Sequence, residues 1–396
     1  MIQHLKDVAA NGTSFKRVIG SYSCDLPGPT MLFICSLHGN EPSGLVAFER
    51  VIERLSKDQP KLHGSLIGLA GNLAALEQNV RFIDKDLNRA WTSERIQGLA
   101  NGTIGHSWHL SENTEQKDLM DHMKEIFSNR RGPAYVFDLH TTSSVSEAFI
   151  SINDTIRNRT FAQHFPVPII LGIEEHLEGT ILNYINELGH IAVGIEGGQH
   201  QDPTSADRHE AAIWVALEKA GCIEPNVMPR LAQEWATRRQ KQTNKIFEVR
   251  YRHDLQPTQR FRMYPGFVNF QFVAKNDPLA YGDQGTIKAP RTGNIFMPLY
   301  QQQGNDGFFI VRRIRPFWLH VSKWLRKRNM HRLFAYLPGI TKHEGKDYEL
   351  VVNTNIARWY VIELFHLMGF RRKEKAQHAT IFRRREYDFN GPEEAR

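Results

Sequence analysis

Two short apolar runs, each leading straight into a histidine, constrain this chain more than any other feature. Residues 30–36 read TMLFICS and are followed by His38-Gly39-Asn40-Glu41-Pro42-Ser43-Gly44; residues 134–139 read AYVFDL and are followed by His140. Apolar runs of this length, bounded by turn residues, are strands buried on both faces. Between them the pattern changes period. Leu45, Phe48, Val51, Ile52 and Leu55 share one face of a helix predicted over 43–56. Further strands are expected at 65–70, 148–152, 167–171 and 191–195. Helices are expected at 114–128, with Thr114 as N-cap, at 179–188 and at 205–220. Segments 71–91 and 101–113 read as polar, irregular loops. Strands alternating with helices imply an α/β fold: a mixed, mostly parallel sheet flanked by helices.

The texture changes after Cys222. Glu224-Pro225 marks a boundary, and a bridging helix is predicted at 230–239. From 246 to 314 the chain is strand-like, with Gly, Pro and Asp turns at short spacing, which reads as a β-rich domain. A basic helix at 317–329 is followed by a strand, helix and strand at 349–353, 355–367 and 379–385, a small α+β tail. The expected domains are therefore 1–225, 226–316 and 317–396.

In a largely parallel sheet, ligands bind beyond the carboxyl ends of the strands. His38 and Glu41 sit in the turn after one strand, and His140 follows another. Two imidazoles and a carboxylate make a three-ligand zinc site with its fourth position open. A single His at a strand end is ordinarily a hydrogen-bonding side chain, and H-x-x-E alone is a weak pattern. Asp138, two residues before His140, strengthens it, because ligating histidines need carboxylates to orient them. Two further segments suit hydrolysis. Residues 81–89, RFIDKDLNR, put Arg81, Asn88 and Arg89 into a polar loop, where arginines can meet an oxyanion or a carboxylate. A loop salt-bridged through Asp84 and Asp86 is the plainer reading of that stretch. Residues 194–198, GIEGG, place Glu196 at a strand end, where a carboxylate can act as general base or simply as a polar terminus.

Together HGNEPSG, RFIDKDLNR, DLHTTSS and GIEGG resemble, in order and context, the succinylglutamate desuccinylase/aspartoacylase family, which is related to zinc carboxypeptidases of the carboxypeptidase A type. The resemblance covers residues 30–200, with YPGFVN near Tyr264 as a further family feature. It implies a carboxypeptidase-like fold with a C-terminal β-rich domain shaping the cleft, and one zinc ion per chain. His38, Glu41 and His140 would be its ligands. Arg81 would polarise the scissile carbonyl, Asn88 and Arg89 would bind the carboxylate of the amino-acid part, and Glu196 would activate water and protonate the leaving amine. The implied activity is cleavage of the amide bond of an N-acyl amino acid. Two features of aspartoacylase are missing: there is no Arg in residues 183–187, and no Tyr in residues 269–273. Both losses argue against N-acetylaspartate as substrate. A carboxypeptidase acting on a peptide or peptidoglycan fragment would use the same residues.

Net charge is +7, but residues 310–396 hold 19 Lys/Arg against 9 Asp/Glu, and the rest holds 31 against 34. The basic character thus belongs to the tail. Residues 324–328 (WLRKR) and 383–385 (RRR) could contact nucleic acid or an anionic membrane. A non-enzymatic binding protein built on that region is the third reading, although no nucleic-acid-binding motif accompanies it. The three cysteines, Cys24, Cys35 and Cys222, form no metal cluster or disulfide framework. No apolar run is long enough to span a membrane, and residues 1–15 lack the apolar core of a signal peptide. A cytoplasmic enzyme is expected, and a homo-oligomer is compatible with it. The N-x-T patterns at Asn11 and Asn101 therefore carry no weight.

Overall fold

The computed structural model describes residues 15–103, 109–237, 245–256, 258–343, 346–353, 356, 361–375 and 379–392. The leader assessment of residues 1–15 and the Asn11 pattern fall almost wholly outside these residues, as does the middle of the expected 101–113 loop.

Seven strands belong to the first part of the chain: β1 (Val18–Ser23), β2 (Leu26–Cys35), β3 (His63–Ala70), β4 (Ala134–Thr142), β5 (Phe149–Ser151), β6 (Ile169–Leu171) and β7 (Ile191–Gln199). Seven more follow: β8 (Ile246–Asp254), β9 (Phe261–Met263), β10 (Phe272–Val273), β11 (Pro278–Gly282), β12 (Gly285–Lys288), β13 (Gly293–Phe296) and β14 (Asp306–Ile314). One sheet of eleven strands runs β1-β3-β2-β4-β7-β5-β6-β8-β14-β13-β10. Its centre, β3-β2-β4-β7, is parallel, and β5 enters antiparallel to β7. The β-rich region is not a separate sheet. β8 pairs parallel with β6, and β14, β13 and β10 add antiparallel strands beyond it. A three-stranded sheet, β12-β11-β9, stands apart.

The apolar runs are buried on both faces, as their composition requires. Met31, Phe33 and Cys35 of β2 point into one core with Phe48 and Trp214, from the helices Ser43–Asp58 and Thr204–Lys219. Leu32 and Ile34 point into the opposite core with Leu119 and Ile185, from the helices Ser111–Ser128 and Ile181–Glu187. Successive side chains alternate between the two helical layers. Phe33 and Phe137 of neighbouring strands stack at 4.5 Å between ring centroids.

Several local expectations need correction. The segment 71–91 contains a short helix, Leu73–Gln78, capped by Asn72, and a 3-10 turn at Leu87–Arg89. Ser93–Asn101 is also helical, with Thr92 as cap. The helix expected from 114 begins at Ser111, so Thr114 is inside it and caps nothing. The extra turn has a reason. It carries Glu112 into the interior, where Oε1 accepts from the Asn72 side chain and the Ile83 N–H, and Oε2 accepts from the N–H groups of Asp84 and Lys85. β4 and β7 extend past the expected ends, so His140 and Glu196 lie within strands.

The C-terminal region forms its own four-stranded antiparallel sheet from β15 (Ile340–His343), β16 (Lys346–Asn353), β17 (Phe370–Lys375) and β18 (Ala379–Arg384), in the order β15-β16-β18-β17. The helices Pro316–Lys327 and Val361–Leu367 accompany it. Its basic side chains are partly structural. Arg326 is fully buried and donates to the Asp154 carboxylate at 2.8 Å, to Asp388 at 3.1 Å and to the carbonyls of Asp154, His366 and Leu367. Arg385 binds Glu174 at 2.7 Å. Arg159, Arg326 and Arg385 hold the Asp154 carboxyl well below the usual range, against burial, which alone would raise it. Two arginines of the basic clusters therefore pin this region to the main sheet and are withdrawn from solvent.

Candidate metal centre and active site

Register brings the site together. Cys35 of β2 pairs with Leu139 of β4, so the turn after β2 and the residue after Leu139 meet at one sheet edge. Ser36 turns the chain with a φ of 55°, and the Glu41 N–H donates to the His38 carbonyl at 3.1 Å. This tight turn presents His38 and Glu41 on the same side. Gly39 makes it feasible: a Cβ there would lie 2.1 Å from the carbonyl carbon of Ala75.

Glu41 sits between the two rings. Its Oε1 is 3.0 Å from His38 Nδ1, and its Oε2 is 3.0 Å from His140 Nδ1. One ligand atom from each of the three residues fits within 4.8 Å of the others, and all three are buried. Behind the rings, His38 Nε2 meets Asp86 Oδ1 at 3.1 Å and His140 Nε2 meets Asp138 Oδ2 at 2.6 Å. With Nε2–H donating to these carboxylates, the Nδ1 lone pairs of both rings face Glu41. Lone pairs and a carboxylate facing one another in a buried space repel unless a cation or a proton lies among them. In the bare protein, burial pushes the Glu41 carboxyl up, but His38 and His140 hold it well below its ordinary range. Burial depresses His140, yet Asp138 and Glu41 raise it well above the usual imidazole range. Two imidazole nitrogens and one carboxylate, each ring backed by a carboxylate, fit a zinc ion with an open fourth position.

The expected partner residues converge here as well. Arg81 is 3.0 Å from Asp86 and 3.4 Å from Glu41 through its Nη atoms. Glu196 is the direct strand neighbour of His140. It is 8% exposed, and its Oε2 has no hydrogen-bond partner among the described residues. Burial raises its carboxyl to about 8; His140 and Arg81 oppose the rise, and Glu41 and Asp138 add to it.

Asn88 and Arg89 are placed beside the centre but are already engaged. The Asn88 amide oxygen accepts from the Ile181 N–H at 3.0 Å, and its nitrogen lies 3.3 Å from His140 Nε2. Arg89 donates to the Asn88 carbonyl at 2.8 Å and to Asp306 at 2.6 Å. Residues 183–187, where the aspartoacylase arginine is missing, turn away; the Asn183 side chain binds the Leu177 carbonyl and Asn153, and Glu187 binds Arg371.

Other contributors had no signal in the sequence. Glu112 braces the loop carrying Arg81. His200 accepts from the Thr141 hydroxyl at 2.7 Å and donates to the Gln301 side chain at 3.1 Å. Gln301 also accepts from Asn40, and Gln303 accepts from the Arg81 N–H and donates to the Phe82 carbonyl. The segment between β13 and β14 thus lies against the turn that carries Glu41 and the loop that carries Arg81.

Residues 27–216 match the succinylglutamate desuccinylase/aspartoacylase catalytic domain. Over that span, just under half of the chain, the sequence is similar to that family. The matched span holds His38, Glu41, Arg81, Asn88, Arg89, His140 and Glu196. A succinylglutamate desuccinylase from Chromobacterium violaceum is 29% identical over 122 residues, which is 30% of this chain and 34% of that protein. An N-acyl-aromatic-L-amino acid amidohydrolase (carboxylate-forming) from Xenopus tropicalis is 24% identical over 195 residues, 49% of this chain and 56% of that protein. The chain thus spans about a third of the first of these relatives and just over half of the second. Solved structures share the fold over more of the chain. Succinylglutamate desuccinylase from Vibrio cholerae superposes with a TM-score of 0.56 at 16% identity, covering 74% of this chain and 83% of that one. A product-bound ectoine utilization protein from Ruegeria pomeroyi gives 0.54 at 17% identity, covering 74% and 88%.

Proposed function

We propose that this protein is a zinc-dependent amidohydrolase that cleaves the acyl amide bond of an N-acyl amino acid. One observation carries the reading. Glu41 bridges two histidine Nδ1 atoms whose opposite nitrogens are tied to Asp86 and Asp138, with the unpartnered Glu196 carboxylate on the next strand. The family match over residues 27–216 supports it.

A zinc ion held by His38, Glu41 and His140 supplies Lewis acidity and lowers the pKa of water. The protein's own groups do the rest. Glu196 takes the proton of the attacking water and later delivers it to the leaving amine. Arg81, held in place by Asp86, offers N–H donors to the oxygen that gains charge as the carbonyl becomes tetrahedral. Arg89 and Asn88 face the amino-acid part. Gln301 and Gln303 narrow the cleft, which favours a small acyl amino acid over a peptide, the alternative substrate class. Cys24, Cys35 and Cys222 are unpaired in the structure, in keeping with the cytoplasm as its location. No helix among the described residues is long and apolar enough to cross a membrane.

The test combines metal analysis of the purified protein with hydrolysis assays on N-acyl amino acids and short peptides. Near-stoichiometric zinc is expected, with release of free amino acid from the acyl series. Glu196→Ala should keep its zinc and lose about 10²–10⁴-fold in kcat. A variant that hydrolyses at near the wild-type rate would remove Glu196 from the mechanism.

A further inference from the structure

Arg89 is the residue on which the amino-acid part of a substrate is expected to rest, and its guanidinium is already paired. Asp306, the first residue of β14, places Oδ2 at 2.6 Å from Arg89 Nη2 and Oδ1 at 2.5 Å from Arg252 Nε. All three side chains are largely withdrawn from solvent: Asp306 is 15% exposed, Arg89 17% and Arg252 22%. Arg252 is further tied to Asp254 at 2.8 Å and to the His176 carbonyl at 2.7 Å. Two arginines therefore face two aspartates, and the cluster is neutral. Arg89 Nε is buried and has no hydrogen-bond partner among the described residues. The pocket wall thus offers hydrogen bonds without net positive charge.

We propose that Asp306 is a specificity-determining residue: it sits where a substrate carboxylate would pair with Arg89, and so turns the subsite from free carboxylates toward uncharged carboxamides. The proposal rests on the amide-hydrolase reading above. A carboxylate entering this subsite meets a guanidinium already satisfied by one carboxylate, and it must lie close to a like charge in a poorly hydrated place. A carboxamide offers a carbonyl oxygen to Arg89 and brings no charge to repel, which narrows the substrate class to N-acyl amino acids whose carboxyl group is blocked. The position of Asp306 supports this role. It begins the strand that follows the Gln301–Gln303 segment, so one stretch of chain both narrows the cleft and neutralises its arginine.

The experiment uses the full zinc-loaded chain with matched pairs: the N-acetyl derivatives of alanine, methionine and phenylalanine as free acids and as carboxamides. Asp306→Asn keeps the shape and frees Arg89; Asp306→Glu keeps the charge. Wild type should favour the carboxamide of each pair in kcat/KM. In Asp306→Asn, the acid-to-amide ratio should rise at least tenfold, through KM for the acid, and Asp306→Glu should stay nearer wild type. Thermal melting identifies a variant that has merely unfolded. Calorimetric binding of the same pairs to Glu196→Ala and Glu196→Ala/Asp306→Asn gives a readout without turnover. Absence of hydrolysis of every pair by wild type would remove the amide-hydrolase reading, while the binding ratio would still decide the role of Asp306. A wild type that prefers the free acids, or an acid-to-amide ratio that is the same with and without Asp306, would overturn the proposal. Undetectable binding of all ligands to both proteins counts as the same ratio.

Discussion

At the scale of single residues, the site is defined as much by the groups behind the ligands as by the ligands. Asp86 and Asp138 fix the tautomers of His38 and His140. Replacing either by Asn should weaken zinc binding about 10–100-fold while leaving the fold intact. Competition against a chromophoric chelator measures this, and unchanged affinity in both variants would show that the rings are held by other means. Arg81→Ala should retain zinc and lose about 10²–10³-fold in kcat, because its donors are aimed at charge that develops during the reaction. Metal content measured beside the kinetics separates the two effects. Glu112 is a residue of a different kind. Fully buried, it satisfies three backbone N–H groups of the loop behind Arg81. Glu112→Ala strands those donors and should cost at least about 3 kcal/mol in chemical denaturation, with a loss of activity larger than stability alone explains.

At the scale of elements, the apolar runs at β2 and β4 were legible because a strand buried on both faces leaves no polar alternation. The helices Ser43–Asp58 and Thr204–Lys219 were equally plain from their apolar faces. The three candidate ligands were legible for the same reason, since each follows or ends a recognisable strand. The helix starting at Ser111 was not, because its first turn carries Ser111, Glu112 and Asn113, whose polar side chains look solvated until Glu112 is seen accepting from the Ile83 N–H, 29 residues earlier. The helices Leu73–Gln78 and Ser93–Asn101 were hidden because they are six and nine residues long and their caps, Asn72 and Thr92, resemble turn residues. The pairing of Arg89 with Asp306 spans 217 positions and leaves no local pattern at all. Gly39 shows how narrow the tolerance of an element end can be. Gly39→Ala would press a methyl into the Ala75 backbone, move the turn that carries His38 and Glu41, and cost about 1–3 kcal/mol together with zinc affinity.

At the scale of the molecule, buried ion pairs join the C-terminal sheet to the rest. His366 lies between Glu175 and Glu248, at 2.8 and 2.9 Å. Burial would lower its pKa, but the two carboxylates raise it to about 9. Its folded value therefore exceeds its unfolded value of about 6.5. The resulting stability is complete below about pH 6.5 and is lost as pH rises through about 9, at most about 3 kcal/mol. Urea midpoints of wild type should fall between pH 7 and pH 9.5, and those of His366→Gln should change less; parallel curves would rule the contribution out. The continuity of the main sheet has a mechanical consequence. β6 and β8 are bonded to each other through Ile169–Ile246 and Leu171–Glu248, and β8 carries β14. The two walls of the cleft are thus parts of one plate and cannot swing apart like jaws without tearing a row of backbone hydrogen bonds. The Gln301–Gln303 segment between β13 and β14 is held to Asn40, Arg81 and Phe82 by side-chain hydrogen bonds instead, so it can lift from them without breaking a single rung of the plate.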